Sequence, residues 1–180
     1  MATLERIHFV PHYLVRRENA VAYSPSSSRP SIEGLPQIFW ADYAPWREAN
    51  LWAVERATTG DASLKTVASN MNGLLNYAKF LEFRDLQWFE FPARKADRCL
   101  VLYRGALIKM RDAGQISPST ASEYMRNCIM FYRWVRHREL LSPHVQLWRE
   151  KPYVVKYFDR VGFERTISGT TTDLSIPNRK

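Results

Sequence analysis

The sequence predicts a mostly α protein: a small helical bundle preceded by an N-terminal extension that contains short strands and a helix. Two observations lead to that class. Apolar residues recur at helical spacing through three segments between residues 61 and 142. Each segment is bounded by capping, glycine or proline signals that start or stop helices. With 180 residues, 46% hydrophobic and 13% aromatic, the chain can bury one ordinary core and is too short for a large multidomain enzyme.

Alternation at Ile7 and Phe9, at Tyr13 and Val15, and from Ala20 to Tyr23 predicts short strands or an ordered arm. The run Ser24-Pro-Ser-Ser-Ser-Arg-Pro-Ser31 after them reads as a loop. From Tyr43 to Ala57, Trp46, Ala49, Ala53, Val54 and Ala57 mark a helix closed at Gly60. This extension is taken as residues 1–60. A cap at Asp61 or Ser63 then opens a helix running to about Glu82. Leu64, Val67, Met71, Leu74, Leu75, Ala78 and Leu81 form its apolar stripe, and Lys65, Ser69, Asn72, Asn76 and Lys79 a polar strip on another side.

The next helix spans about Arg94 to Ala113. Ala96, Leu100, Tyr103, Leu107 and Met110 lie on one side, Val101 and Ile108 on the other, and Gly114 supplies a left-handed stop. Apolar residues on both sides predict a central element. The third helix begins at Ser117-Pro118, a cap followed by proline at the first helical position, and continues to about Arg138. Its inward arc is Ala121, Tyr124, Met125, Cys128, Phe131, Tyr132 and Val135, while Ser119, Ser122, Arg126, Arg133 and His137 share one outward strip. Residues 61–142 therefore form the bundle. In residues 143–180, Tyr153 to Phe158 reads as a strand or extended segment and Gly169 to Lys180 as a tail or linker.

Net charge is +8, and it is unevenly spread. Residues 1–60 hold six basic and six acidic groups, residues 61–142 thirteen and eight, and residues 143–180 seven and four. Such a bias favours a polyanionic partner. No apolar run approaches the roughly 20 residues needed to cross a bilayer, so the expectation is a soluble, cytoplasmic chain with no membrane partner. Cys99 and Cys128 lie on apolar helix faces and are expected as buried, reduced thiols.

The starts Leu64-Lys-Thr-Val67 and Ser117-Pro-Ser-Thr120, with a helix between them, resemble the core-binding domain of tyrosine recombinases, the phage-integrase family. Tyr77-Ala-Lys-Phe-Leu81 and Phe131-Tyr-Arg-Trp-Val135 extend the resemblance, which covers Asp61 to Ser142. It implies a SAM-like helical bundle that forms half of a clamp on double-stranded DNA, working with other recombinase protomers. Carried over by position, Thr66, Ser119 and Thr120 would contact phosphates. Lys65, Ser69, Asn72, Arg126, Arg133 and His137 would face the groove; for each, a solvated helix face is the alternative reading.

That family's chemistry needs a second domain carrying a tyrosine nucleophile, arginines, a lysine and a His-x-x-Arg element. None of the four histidines has that partner: His8, His12, His137 and His144 are followed three residues on by Pro11, Val15, Leu140 and Leu147. The chain is thus expected to be the DNA-binding portion of a longer recombinase, itself without catalytic residues, the tail leading onward. His8 and His12 flank Pro11 and lack a third ligand, so no metal and no cofactor are expected. The competing readings are a helix-turn-helix-like transcription regulator and a helical protein-interaction module using Phe39, Trp40, Tyr43, Trp46 and Trp52.

Overall fold

In a computed structural model, the structure describes residues 1–17, 20–158 and 162–177, without the side chains of Arg17, Val155 and Ile167. The end of the expected tail, residues 178–180, lies outside the described residues. Met1–Phe83 and Arg84–Lys180 form two compact units.

The mostly α expectation is corrected: four α-helices share the described residues with six strands paired as three antiparallel two-stranded sheets, an α/β mix rather than a helical bundle. Two strands explain the miss. One, Ile32–Phe39, contains Gly34 and Pro36, which read as breakers. It buries Leu35, Pro36, Gln37 and Ile38 consecutively, so it shows no alternation. The other, Glu164–Thr172, consists largely of Thr, Ser and Gly: threonine suits a strand through its branched Cβ but leaves no hydropathy pattern.

In the first unit, β1 (Thr3–Phe9) pairs antiparallel with β4 (Ile32–Phe39), from Thr3↔Phe39 to Phe9↔Ile32. The register slips between Ile7 and Phe9, where β4 carries the extra residue. Gly34 meets that bulge with φ +73°. The hairpin β2 (His12–Arg17) and β3 (Ala20–Pro25) is nested between them in sequence. Helix α1 (Arg47–Thr58) and α2 (Leu64–Phe83) both pack on β4. Leu35, Ile38, Trp46, Trp52, Met71 and Tyr77 are fully enclosed.

Trp46, expected inside the first helix, stands at its N-cap, with its ring 4.9 Å from Trp40 and 6.3 Å from Tyr77. Buried Asn50 accepts from the Ile38 N–H at 2.7 Å and donates to the Ile38 carbonyl at 3.0 Å. An amide side chain thereby completes the open side of β4, which would otherwise bury unpaired backbone groups. Glu82, near the end of α2, accepts from the backbone N–H of Ala2 and of Ala41.

The second unit contains α3 (Cys99–Asp112), α4 (Pro118–His137), β5 (Glu150–Phe158) and β6 (Glu164–Thr172), the strands paired from Glu150↔Thr172 to Phe158↔Glu164. A short 3-10 turn at Lys95–Asp97 precedes α3, so that helix begins later than expected. Only one of its sides is buried, at Cys99, Leu100, Tyr103 and Leu107. Tyr132 donates from its hydroxyl to the Trp88 carbonyl at 2.5 Å, and Trp88 lies edge-on to Phe131, so the segment before α3 is pinned to α4. The stretch expected as tail is structured in part: residues 169–172 complete β6, and Leu174 and Ile176 are buried.

Both cysteines are buried, and neither forms a disulfide. Burial, and secondarily the neighbouring Cys99, hold the Cys128 thiol well above its usual pKa; burial likewise keeps the Tyr103 phenol protonated.

Helix α3 ends as expected: Gly114 has φ +71°, and the Gln115 N–H reaches the Met110 carbonyl. Helix α4 ends in the same way, the Leu140 N–H reaching the Val135 carbonyl, but Glu139 occupies the left-handed position with φ +56°. A side chain at that position costs about 1 kcal/mol relative to glycine. Glu139→Gly is therefore expected to stabilise the second unit by about 1 kcal/mol in a urea titration; an unchanged midpoint would show that the strain is relieved elsewhere.

Candidate nucleic-acid interface

The charge division is sharper by unit than by sequence third. Met1–Phe83 holds eight basic and eight acidic residues, whereas Arg84–Lys180 holds eighteen and ten. The entire formal excess belongs to the second unit. Burial and hydrogen bonding separate its cations into those that hold the fold and those that face outward.

Three cations are tied to other parts of the fold. Arg98 ties three backbone carbonyls together, those of Pro92, Ala93 and Gln146. Arg104 reaches the carbonyls of Leu174 and Ser175. Lys95 binds Asp173 at 2.5 Å, and Asp173 also accepts from the Arg149 N–H at 3.1 Å. Partial burial pushes the Asp173 carboxyl upward, yet the hydrogen bonds from Lys95 and Arg149 and the nearby lysine charges prevail, and its pKa is lowered. These contacts fasten the open end of the β5–β6 hairpin, where β5 begins and β6 ends, to the rest of the unit.

One group of outward-facing cations lies on α4. Arg126, Arg133, Arg136 and His137 are all exposed. Arg133 and Arg136 lie against the Trp148 ring, with guanidinium carbons 6.0 and 5.4 Å from its centroid, and Arg133 is 3.7 Å from Glu150. The tryptophan gives both guanidinium groups a platform, and Arg136 also donates to the Val145 carbonyl at 3.4 Å. Arg126 and Arg133, two turns apart on the helix, form one wall of an open groove of about 840 Å³. Ser122 stands beside them, Tyr153 and Thr170–Thr172 form the facing wall, and Ile129 and Ile176 lie at the base. Cations and hydroxyls above an apolar base can hold phosphodiester oxygens while excluding water beneath them.

The nine residues expected at the interface fall into two sets. Ser119, Thr120, Arg126, Arg133 and His137 are on α4 in the second unit. Lys65, Thr66, Ser69 and Asn72 are on α2 in the first, all four exposed. Both helix starts form hydroxyl clusters. Ser117 caps α4 by accepting from the Thr120 N–H at 3.1 Å, and its Oγ is 2.8 Å from both the Ser119 and Thr120 hydroxyls. Ser63 does the same for α2, accepting from the Thr66 N–H at 3.2 Å with the Thr66 hydroxyl 3.0 Å away. Thr66, Ser119 and Thr120 thus already contact the serines that cap these helices.

Four residues escaped the sequence reading. Arg136 was legible, lying one turn beyond Arg133. Tyr153, Thr170 and Thr171 were not, because their place in the groove follows from the pairing of β5 with β6. His8 and His12 are occupied separately: His8 Nδ1 pairs with Glu33 and His12 Nδ1 meets the Val10 carbonyl at 2.7 Å. Among the described residues, no group of three or more His, Cys, Asp or Glu side chains is placed to hold a metal ion, and no helix is long and apolar enough to cross a membrane. Comparison with family models, with curated proteins and with solved structures gives no match to this chain.

Proposed function

We propose that this chain binds duplex DNA through the outward face of α4, as the DNA-holding portion of a tyrosine-type site-specific recombinase. The observation that carries the reading is the segregation of charge. The second unit holds the whole formal excess, and three of its exposed cations, Arg126, Arg133 and Arg136, line up along α4 beside a hydroxyl-lined groove. Arg126, Arg133 and Arg136 contact phosphates in this reading. The recombinase assignment rests on the ordered resemblance across Asp61 to Ser142, and it gives this chain no catalytic step.

The first unit, without net charge, is assigned to contact with other protomers. In support, the β2–β3 hairpin exposes Tyr13, Leu14, Val21 and Tyr23, with Leu14 and Tyr23 directly opposite one another.

Binding of a short labelled duplex across a salt series tests the reading. Three guanidinium contacts predict that log affinity falls against log salt with a slope of about −2.7 or steeper, at roughly −0.9 per phosphate neutralised. A slope near zero would refute duplex binding.

A further inference from the structure

We infer that the β5–β6 ribbon is a second nucleic-acid-contacting element, laying its Lys151–Tyr153–Tyr157–Arg165 face on the same duplex that α4 holds. The inference rests on the reading of the chain as a duplex-binding module and adds to it a separate surface.

Register divides the ribbon's side chains. Directly paired residues share a face and successive residues alternate, so Lys151, Tyr153, Tyr157, Arg165 and Thr171 lie together. The opposite face carries Glu150, Val154, Lys156, Phe158 and Glu164. Both carboxylates of the two strands are thus on the second face, and both are engaged. Glu164 binds Lys156 at 2.9 Å, while Glu150 accepts from the Trp148 indole at 2.7 Å and neighbours Arg133. Within the two strands the first face presents two cations and three hydroxyls, and the Asp173 carboxylate just beyond β6, close enough to act on Lys151, is engaged by Lys95; the face complements a phosphate-lined surface.

Its shape suits the same partner. Tyr153, Tyr157 and Arg165 are exposed, and so are Val154 and Phe158 behind them, so the distal half of the ribbon is covered on neither side. A two-stranded ribbon fits within the major groove of B-form DNA. Gly169, paired with Tyr153, lets that ring lie flat across the ribbon: a Cβ there would come within 2.8 Å of the ring. Tyr153 and Thr171 also line the groove beside Arg126 and Arg133, so part of this face borders the helix arginines.

The test uses the whole chain, a short labelled duplex and a salt series, comparing wild type with Lys151→Ala/Arg165→Ala and with Val154→Ser/Phe158→Ser on the opposite face. Two further phosphate contacts predict a wild-type slope of about −4.5, falling to about −2.7 in the lysine–arginine variant and unchanged in the apolar one. A wild-type slope of about −2.7 that the lysine–arginine variant leaves unaltered overturns the inference and spares the duplex-binding reading. A slope near zero in wild type removes that reading, and the inference with it. Should Val154→Ser/Phe158→Ser instead change the mass measured by light scattering and abolish binding, the ribbon serves a protein contact and the inference is overturned.

Discussion

Asn50→Ala is expected to destabilise the first unit by about 2–3 kcal/mol, far more than the loss of a small amide from a helix surface. The side chain is buried, and it takes up both backbone groups of Ile38 on the side of β4 that faces away from β1. Truncation leaves the Ile38 N–H without its 2.7 Å acceptor in a site closed to water, a cost of about 1–3 kcal/mol, together with a small void. The Ile38 carbonyl is less affected, since it also accepts from the Trp46 N–H at 2.9 Å. Asn50→Asp separates the contributions: it keeps an acceptor for the N–H but sets a carboxylate oxygen against the carbonyl and buries a charge, so it should be at least as damaging. Hydrogen exchange resolved by peptide would register both variants as faster exchange over β4 and α1. Unchanged protection there would mean that the amide bridge contributes nothing to the fold.

The same bridge shows why part of the fold was legible and part was not. Leu64 to Leu81 and Ala121 to Val135 announce their helices because a helix packed on one side repeats its burial every three or four residues. The starts at Ser63 and Ser117 and the stop at Gly114 are local hydrogen-bond devices that need no distant partner. Strand β4 gives no such signal: it is enclosed along Leu35 to Ile38, interrupted by Gly34 and Pro36, and paired with a strand on the far side of an intervening hairpin. Its recognition depends on Asn50, which reads in sequence as one polar residue of an ordinary helix. Strand β6 is held by Arg104, Lys95 and Asp173 acting around its C-terminal end, contacts that composition cannot express.

The candidate site divides in the same way. Arg126, Arg133 and His137 follow from helical geometry alone. Nothing in the sequence distinguishes Arg98 and Arg104, half-buried and spent on backbone carbonyls, from Arg133 and Arg136, exposed beside the Trp148 ring. Counting cations gives only a net charge, whereas sorting them requires knowing which carbonyls lie within reach.

Sorting them also sets the size of the second large effect. Arg126→Ala/Arg133→Ala should weaken duplex binding about 30-fold near physiological salt, because two counterion-release contributions of roughly −0.9 each vanish, and the salt slope should become shallower by about 1.8. The fold should tolerate the change. Both side chains are exposed, alanine favours the helix at least as well as arginine, and Trp148 retains the Arg136 guanidinium 5.4 Å from its ring centroid. Glu150 supplies a change of opposite sign. Its carboxylate lies 3.7 Å from Arg133 and opposes an approaching phosphate, while Glu150→Gln removes that charge and keeps an oxygen for the Trp148 indole. The glutamine variant should therefore bind duplex more tightly than wild type at low salt, the difference narrowing as salt rises. If the double alanine variant lost helicity in circular dichroism, these arginines would belong to the core; if it bound normally with an unaltered slope, α4 would not be the surface that meets DNA.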